Sequence, residues 1–179
     1  MANNRTILLR NFREQPEAAV FEDAKSWKEI GLEWLQGYSH HSGLIPNLLE
    51  EADFFTLDHP LKNVIQSGGK IWFAEVISNG VSEIAGTIGL MEFNGVWEPI
   101  QLGVRPQFQG LGIGRMLVST VIEFAKSKGI RRLYLDSNSS LRTAIQIYES
   151  FGFRHLPASR KRYATADVAM ELELGTATD

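Results

Sequence analysis

The stretch from Val104 to Leu117 reads "VRPQFQGLGIGRML" and places glycines at 110, 112 and 114 directly before an apolar segment with helical spacing. Glycine costs roughly 0.5–1 kcal/mol relative to alanine within regular structure, so this cluster calls for a physical reason. One reason is a turn. The other is a ligand held against bare backbone, because the first N–H groups of a helix are unpaired and carry the positive end of its dipole. The stretch therefore predicts a turn or a phosphate-binding loop at the start of a helix.

The composition is that of a globular protein, with 44% hydrophobic and 22% charged residues. The length of 179 residues suits one domain over 1–179. A net charge of −3 without a long basic block argues against a nucleic-acid partner. The absence of cysteine excludes disulfides, thiolate metal sites and a cysteine nucleophile. Because no apolar run suits a signal peptide or a membrane span, we expect a soluble cytoplasmic protein with no membrane partner.

Apolar periodicity and turn signals predict alternating helices and strands. The segments before the glycine stretch are a strand at 5–12, a helix over 16–35, a loop over 37–47 and a helical segment within 48–66. Asn79-Gly80 predicts a hairpin turn, and Pro99 indicates a sheet edge or a bulge within a strand over 96–104. The later segments are a helix over about 112–128, a strand at 131–137, a helix closed by Gly152 and a strand at 167–174. This order predicts an α/β or α+β sheet with helices on its faces.

Two phosphate-binding templates fit the glycine stretch poorly. A P-loop requires a Lys-Ser/Thr pair after its glycines, and none follows here. The dinucleotide fingerprint lacks its third glycine, and the strand of Asp136, the candidate ribose-binding acid, does not begin the fold. A third template fits, because Gln109, Gly112 and Gly114 form Q-x-x-G-x-G after a strand that ends at Val104. This pattern resembles the acyl-CoA pyrophosphate loop of the GNAT superfamily of N-acetyltransferases.

The resemblance extends from Lys70 to Leu174 in the family's order and spacing. The stretch "LYLDSNSSLRTAIQIYESFGF" resembles the family's second motif, a strand followed by a helix that carries A-I-x-x-Y-E-x-x-G-F. The segments "GGKIWFAEV" and "IAGTIGLMEF" resemble the central hairpin, "WEPIQLGVRPQFQG" the fourth strand, and "YATADVAMELEL" the closing strand. The resemblance implies a mixed, mostly antiparallel central sheet with helices on both faces.

The resemblance also implies acetyl-CoA as co-substrate and assigns residues to it. Backbone N–H groups of the glycine loop would cradle the pyrophosphate, where any Cβ would hold the phosphates too far away. The strand before the loop would offer backbone groups to the pantetheine arm, alongside ordinary core packing by its side chains. The implied cofactor-binding residues are Leu102, Gly103, Val104, Gln109, Gly110, Leu111, Gly112, Ile113, Gly114, Arg115 and Asn138.

Two catalytic residues follow from the same resemblance. Tyr148 occupies the place where the family usually keeps its acid, and a tyrosine is protonated at neutral pH. Glu98 occupies the position of a glutamate base found in a bacterial branch, although Pro99, Gln101 and Leu102 depart from that branch's pattern. The alternatives are a packing role for Tyr148 and an exposed strand position for Glu98.

One further departure concerns an asparagine. Many relatives have it three residues before the motif's alanine, where this chain has Leu141. Asn138 lies earlier, as in the same bacterial branch, and is the candidate for a contact with the pantetheine or another part of the cofactor.

Other polar and aromatic clusters receive no catalytic assignment. His40, His41, Asp53, Asp58 and His59 lack the spacing of a metal site, so we expect no metal. The basic run "SRKR" at 159–162 predicts a solvated loop, with contact to substrate or to a CoA phosphate as the alternative. Four aromatic residues at helical steps favour core packing, or else a wall of the acceptor pocket: Trp27, Trp34, Phe54 and Phe55.

The sequence thus favours an N-acetyltransferase that moves the acetyl group of acetyl-CoA to a primary amine of a small molecule or peptide by direct attack. The alternatives are a non-catalytic acyl-CoA-binding regulatory module and a nucleotide-binding α/β domain. A homodimer is a possibility taken from relatives alone.

Overall fold

Seven strands form one sheet in the computed structural model, which describes residues 5–42, 51–157, 160 and 162–175, without the side chains of 34–42 and 51–52. The strands are β1 (Arg5–Asn11), β2 (Lys70–Ser78), β3 (Val81–Phe93), β4 (Val96–Val104), β5 (Arg132–Ser137), β6 (Arg154–Leu156) and β7 (Val168–Glu173). Their order across the sheet is β1-β2-β3-β4-β5-β7-β6. Only β4 and β5 pair in parallel among these strands.

Helices cover both faces of this sheet. They are α1 (Glu17–Ser42), α2 (Glu51–Asp58), α3 (Ile113–Ser127) and α4 (Arg142–Ser150), with a π-helical turn at Leu61–Ile65 and a 3-10 turn at Pro106–Phe108. Strand β2 shows how the two faces arise, because its side chains alternate in direction. Ile71 and Phe73 join the apolar cluster of Trp27 and Leu57, whereas Trp72 joins the cluster beneath α3. The predicted fold class, a mixed and mostly antiparallel sheet with helices on both faces, is confirmed.

Several local predictions differ from the structure. Helix α1 continues to Ser42 through the first part of the predicted loop, while residues 43–47 of that loop lie outside the described residues. A single interior glycine such as Gly37 costs only about 1 kcal/mol, too little to end a helix. Phe54 and Phe55 are not core residues, since they are 40% and 51% exposed, and Trp34 has no described side chain. None of the described helices is long and apolar enough to cross a membrane.

The irregularity predicted from Pro99 lies two residues further along β4. Ile88 on β3 faces both Gln101 and Leu102, so β4 carries one extra residue at this point. Gln101 takes a positive φ of 51°, which is the local distortion that accommodates this bulge. Strand β4 is not an edge strand, because it lies between β3 and β5.

The start of α3 sits close to the sheet because β3 offers a glycine there. A Cβ added to Gly86 would lie 2.8 Å from the Gly103 carbonyl oxygen, 3.1 Å from Ile113 Cγ2 and 3.3 Å from Leu117 Cδ1. A side chain at this position would therefore displace the β4 backbone and crowd the side chains at the start of the helix. The position of the glycine loop thus depends on a missing side chain in the neighbouring strand.

We predict that Gly86→Ala lowers the free energy of unfolding by about 1–3 kcal/mol, the usual cost of overpacking. Urea unfolding of the purified variant measures this loss. Glu83→Ala, at an exposed position of the same strand, is the control and should change stability by about 0.5 kcal/mol or less. Equal stability of the two variants would mean that α3 has room to move.

Candidate functional site

Strands β4 and β5 separate after one paired position, and the gap between them forms the site. Trp97 and Leu133 are in register, and no further residue pair of the two strands is joined in the described sheet. Two adjoining cavities of about 440 and 140 Å³ lie along this gap. Leu102, Leu141 and Ala144 line both cavities and so mark where they meet.

The larger cavity lies against the glycine loop and the start of α3. Gly110 and Gly112 have φ values of +77° and +78°, a backbone region that other residues enter only with strain. A Cβ at either position would meet no described protein atom within 4 Å. Gly112 precedes α3 and provides no side-chain cap, so the first N–H groups of the helix remain available to a ligand. Open space beside uncapped N–H groups fits a pyrophosphate.

The other residues of the loop motif fix its position. Gly114 lets α3 approach α4, since a Cβ there would lie 3.0 Å from Ile147 Cδ1. The Gln109 side chain donates from Nε2 to the Val104 carbonyl oxygen at 3.2 Å, which ties the loop back to β4. The Arg115 side chain donates to Ser150 Oγ at 2.6 Å. These contacts hold the loop between β4 and α4.

Most of the predicted cofactor-binding residues meet at the larger cavity. Those that line it are Leu102, Val104, Gln109, Gly110, Gly112, Ile113, Gly114 and Arg115. Gly103, which pairs with Thr87, and Leu111 are not among the described residues that line either cavity. Asn138 lines the smaller cavity instead. Their roles toward a cofactor stay predictions.

Glu98 is buried at the wall of the smaller cavity, so the alternative of an exposed strand glutamate is wrong. The residue is 3% exposed, and its Oε2 accepts a hydrogen bond from Arg162 Nη2 at 2.6 Å. Burial raises the pKa of Glu98 from 4.5 to about 7, and the negative charge of Asp136 adds to the rise, while the Arg162 charge opposes both. A carboxylate with this pKa is suited to accept a proton at neutral pH.

Tyr148 faces the same cavity from α4. Its ring packs against Phe153 with centroids 5.4 Å apart, and its hydroxyl has no hydrogen-bond partner among the described residues. Burial and then the Glu98 charge raise the pKa of Tyr148 above its ordinary value, so the phenol remains a proton donor. Tyr148 thus combines the packing role with a position at the cavity wall.

Asn138 has both ends of its side-chain amide occupied. Its Nδ2 donates to the Thr165 carbonyl oxygen at 2.7 Å, and its Oδ1 accepts from Ser140 N–H at 3.0 Å. The bond to Thr165 joins the end of β5 to the chain segment before β7, and the bond from Ser140 closes a local turn. A cofactor contact from this amide would have to share or replace one of them.

Four polar residues at the smaller cavity received no catalytic or cofactor-binding role from the sequence: Asp53, Gln101, Asp136 and Tyr163. Asp136 and Tyr163 line it, and Asp53 on α2 accepts a hydrogen bond from Gln101 Nε2 at 2.7 Å. The fold brings these residues together from four segments, so no local pattern identifies them. The bulge predicted within β4 was the one feature of the sequence that pointed toward Gln101.

The basic run at 159–162 is not simply a solvated loop. Arg162 contacts Glu98, whereas Arg160 is exposed, and residues 159 and 161 lie outside the described residues. Asp58 forms an ion pair with Lys28 at 2.6 Å. No group of three or more His, Cys, Asp or Glu residues suited to a metal occurs among the described residues, while the side chains of His40 and His41 lie outside them.

Known proteins resemble this chain in sequence and in fold. A family model described as the Acetyltransferase (GNAT) family matches residues 32–153, more than half of the chain. The [ribosomal protein bS18]-alanine N-acetyltransferase of Salmonella typhimurium is 38% identical over 65 residues, which are 36% of this chain and 44% of that protein. The chain thus matches less than half of the length of this curated relative.

Two solved structures share the fold over nearly the whole chain. An acetyltransferase of the GNAT family from Staphylococcus aureus Mu50 has a TM-score of 0.71 at 24% identity, covering 95% of this chain and all (100%) of that one. The PaiA N-acetyltransferase of Thermoplasma acidophilum, solved in complex with coenzyme A, has a TM-score of 0.68 at 17% identity, covering 94% and 99%. At these identities the likeness concerns the fold.

We predict that Gly112→Ala weakens acetyl-CoA binding by roughly 10- to 100-fold, because the methyl group displaces the ligand from one or more N–H donors. The variant should also lose about 1–2 kcal/mol of stability through backbone strain. Calorimetric titration and urea unfolding measure the two effects.

Gly80→Ala is the matched control, because Gly80 has the same φ of +78° and equally open surroundings in the β2–β3 turn. It should lose similar stability and bind acetyl-CoA normally. Unchanged binding in Gly112→Ala would mean that the glycine loop is only a turn.

Proposed function

The chain belongs to the Acetyltransferase (GNAT) family, and on that premise we propose that it is an acetyl-CoA-dependent N-acetyltransferase acting on a primary amine of a small molecule or peptide. The observation that carries the proposal is the adjacency of two cavities with different chemistry. One presents uncapped helix N–H groups and open glycines, and the other a buried carboxyl group with a pKa of about 7 beside a protonated phenol.

Acetyl-CoA, when bound, supplies a thioester whose carbonyl carbon an amine can attack and whose sulfur leaves. The residues of the larger cavity would hold its pyrophosphate through the backbone of Gly110 to Arg115. Leu102 and Ala144 would border the reacting end, because they line both cavities. The gap between β4 and β5 would therefore admit the two substrates from different sides.

Glu98 would act as the base. A lysine-like amine with a pKa of about 10.4 is mostly protonated at neutral pH and must lose a proton before it can attack. The Glu98 carboxylate accepts that proton, directly or through one water molecule. Its pKa of about 7 leaves it largely ionised at slightly alkaline pH and still basic enough to be useful.

Tyr148 would act as the acid. Its hydroxyl carries the proton that a departing thiolate needs, and burial keeps that proton in place. As the carbon–nitrogen bond forms and the carbon–sulfur bond breaks, the phenol gives its proton to sulfur. Glu98 takes the first proton from the amine nitrogen and passes it to solvent. The second proton leaves the nitrogen as the amide forms and replaces the one that Tyr148 gave to sulfur, so no covalent enzyme species is required.

The acceptor is proposed at the level of an amine. The name of the Salmonella relative points to an alanine of a ribosomal protein, so peptides that begin with alanine are reasonable first acceptors. A single-domain protein, a homodimer and a cytoplasmic location stay predictions. That all described strands join one sheet supports the single domain.

Parallel calorimetric titrations with acetyl-CoA, CoA, ATP and NAD test the proposal first. We expect micromolar binding of acetyl-CoA and CoA and no response to the two nucleotides. Amines are then screened by CoA release, with polyamines, amino acids and alanine-initiated peptides in separate sets. Binding without turnover on any acceptor would favour the acyl-CoA-binding regulatory module, and absence of binding would overturn both readings.

We predict that kcat/KM rises about tenfold per pH unit below pH 7 and levels off above it, since Glu98 must be ionised to act. Glu98→Gln should abolish this rise of kcat/KM with pH and lower the level that kcat/KM reaches above pH 7 about 100-fold or more. Initial rates between pH 5.5 and 9 at saturating acetyl-CoA check both effects.

The same substitution has a stability readout that does not depend on turnover. A carboxyl pKa raised from 4.5 to about 7 on folding means that stability is lost as pH rises through this interval. Glu98→Gln should therefore be more stable than the wild type at pH 8, by up to roughly 3 kcal/mol. The difference should vanish near pH 4.5, and a variant that is less stable at pH 8 would contradict the raised pKa.

We predict that Tyr148→Phe lowers kcat about tenfold or more while the acetyl-CoA dissociation constant changes less than about twofold, because only the proton donor is removed. Stopped-time assays and calorimetry measure the two quantities. Tyr163→Phe is the comparison: it removes a hydroxyl of the same cavity that bonds Glu98, so it should move the pH dependence and lower kcat less. An unaltered kcat in Tyr148→Phe would mean that Tyr148 only packs in the core and is not the acid.

A further inference from the structure

Arg162 is held in place by β5. Its backbone N–H donates to Asp136 Oδ2 at 2.6 Å, and its guanidinium carbon lies 4.5 Å above the ring centroid of Tyr134. The Tyr134 hydroxyl in turn donates to Asp136 Oδ1 at 2.6 Å. The Asp136 carboxylate therefore holds the backbone of Arg162, and the Tyr134 ring holds its guanidinium, against the same strand. A planar guanidinium suits this stacking, whereas an ammonium does not.

From this position Arg162 reaches Glu98 through one hydrogen bond of 2.6 Å. The contact joins one guanidinium nitrogen to one carboxylate oxygen, so the second oxygen stays outside the ion pair. The Glu98 side chain is 4% exposed, compared with 33% for Arg162. The groups that face Glu98 are Arg162 and Tyr163 from the segment before β7, Asp136 and Tyr134 from β5, and Tyr148 from α4. Of these five, Arg162 alone is a cation.

Arg162 contacts Glu98 from outside the acceptor cavity. The smaller cavity of about 140 Å³ is lined by Glu98 but not by Arg162 in the described part of the chain. Arg162 lines a separate cavity of about 180 Å³, together with Tyr134 and Arg160. An amine in the acceptor cavity would therefore meet the carboxylate and not the guanidinium. Arg162 therefore contacts the proposed proton acceptor and not the amine itself.

We propose that Arg162 is a positioning residue that holds the Glu98 carboxylate ionised and fixed at the acceptor cavity from behind, without contacting either substrate. This inference rests on the proposed function, in which Glu98 removes a proton from the amine. Without the guanidinium, this nearly fully buried carboxylate would keep only hydrogen bonds from the Asp136 backbone and the Tyr163 side chain, beside the negative charge of Asp136. Such a carboxylate takes up a proton more readily, because no cation compensates its charge.

Arg162→Gln tests the proposal and Arg160→Gln is its matched control. Both variants remove one positive charge from the same loop and the same outer cavity, but only the first removes the contact with Glu98. The titration of Glu98 is followed by ¹³C NMR of its carboxyl carbon, without substrates, in protein labelled at glutamate. Glu98→Gln assigns the signal. Rates of acetyl transfer against pH are then measured for each variant.

We expect the Glu98 titration to move upward by about one pH unit or more in Arg162→Gln and to stay in place in Arg160→Gln. The pH range over which kcat/KM rises should shift by the same amount in Arg162→Gln. Its activity should therefore be about tenfold lower at pH 6.5 and near normal at pH 9. Arg162→Lys should restore part of the shift, because it keeps the charge and loses the planar stack. Binding of acetyl-CoA should be unchanged in all three variants.

Equal titration of Glu98 in wild type and Arg162→Gln would overturn the inference, as would an equal loss of activity at every pH. If the Glu98 titration shifts but the protein acetylates no amine, the effect of Arg162 on Glu98 stands and the proposed function is overturned instead. If Arg162→Gln does not fold, Arg162→Lys supplies the same test, with a smaller expected shift of the Glu98 titration. An Arg162→Lys variant whose activity is lower at every pH, with an unshifted pH dependence of kcat/KM, would contradict the proposed role of Arg162.

Discussion

The pairing of β4 with β5 at a single position, Trp97 against Leu133, is the constraint on which the site depends. A longer parallel ladder would close the gap in which both cavities lie. The bulge at Gln101 adds to the effect, because a bulged strand bends away from its neighbour. The separation also leaves the Glu98 carboxylate facing groups of β5, of α4 and of the segment before β7. One interrupted ladder therefore creates both cavities, with the Glu98 carboxylate at the wall of the smaller one.

Helices from both faces converge on this same strand. Gly86 lets α3 begin close to the end of β4, and Gln109 ties the glycine loop to Val104. On the other face, Arg105 beyond β4 bonds Glu29 of α1 at 3.3 Å, and the amide of Gln101 bonds Asp53 of α2. The distorted strand is thus stabilised by packing and polar contacts on both faces. Such support is needed where a buried carboxylate and a positive φ both oppose stability.

Local patterns in the sequence were sufficient for most of the fold. The alternation in the closing strand β7, the Asn79-Gly80 turn and the periodicity of α3 each reflect short-range geometry, and the structure has these elements where they were predicted. The three-residue strand β6 was missed because so short a segment carries no periodicity. The end of α1 was placed too early because one glycine is a weak breaker. The ion pair of Arg162 with Glu98 joins residues 64 positions apart, a distance over which no motif operates.

Two buried carboxylates in this chain show why the number of cationic partners matters. Burial alone would raise the pKa of Asp23, but hydrogen bonds from Arg13 and Arg10 outweigh it and lower the pKa, which makes Asp23 a permanent anion that joins β1 to α1. Glu98 has one arginine and a repelling Asp136, so burial prevails and its pKa rises to about 7. A second arginine would lower the pKa of Glu98 and weaken it as a base, and loss of the one arginine would raise that pKa further. A single, externally held guanidinium is the arrangement that leaves this carboxylate able to exchange a proton near neutral pH.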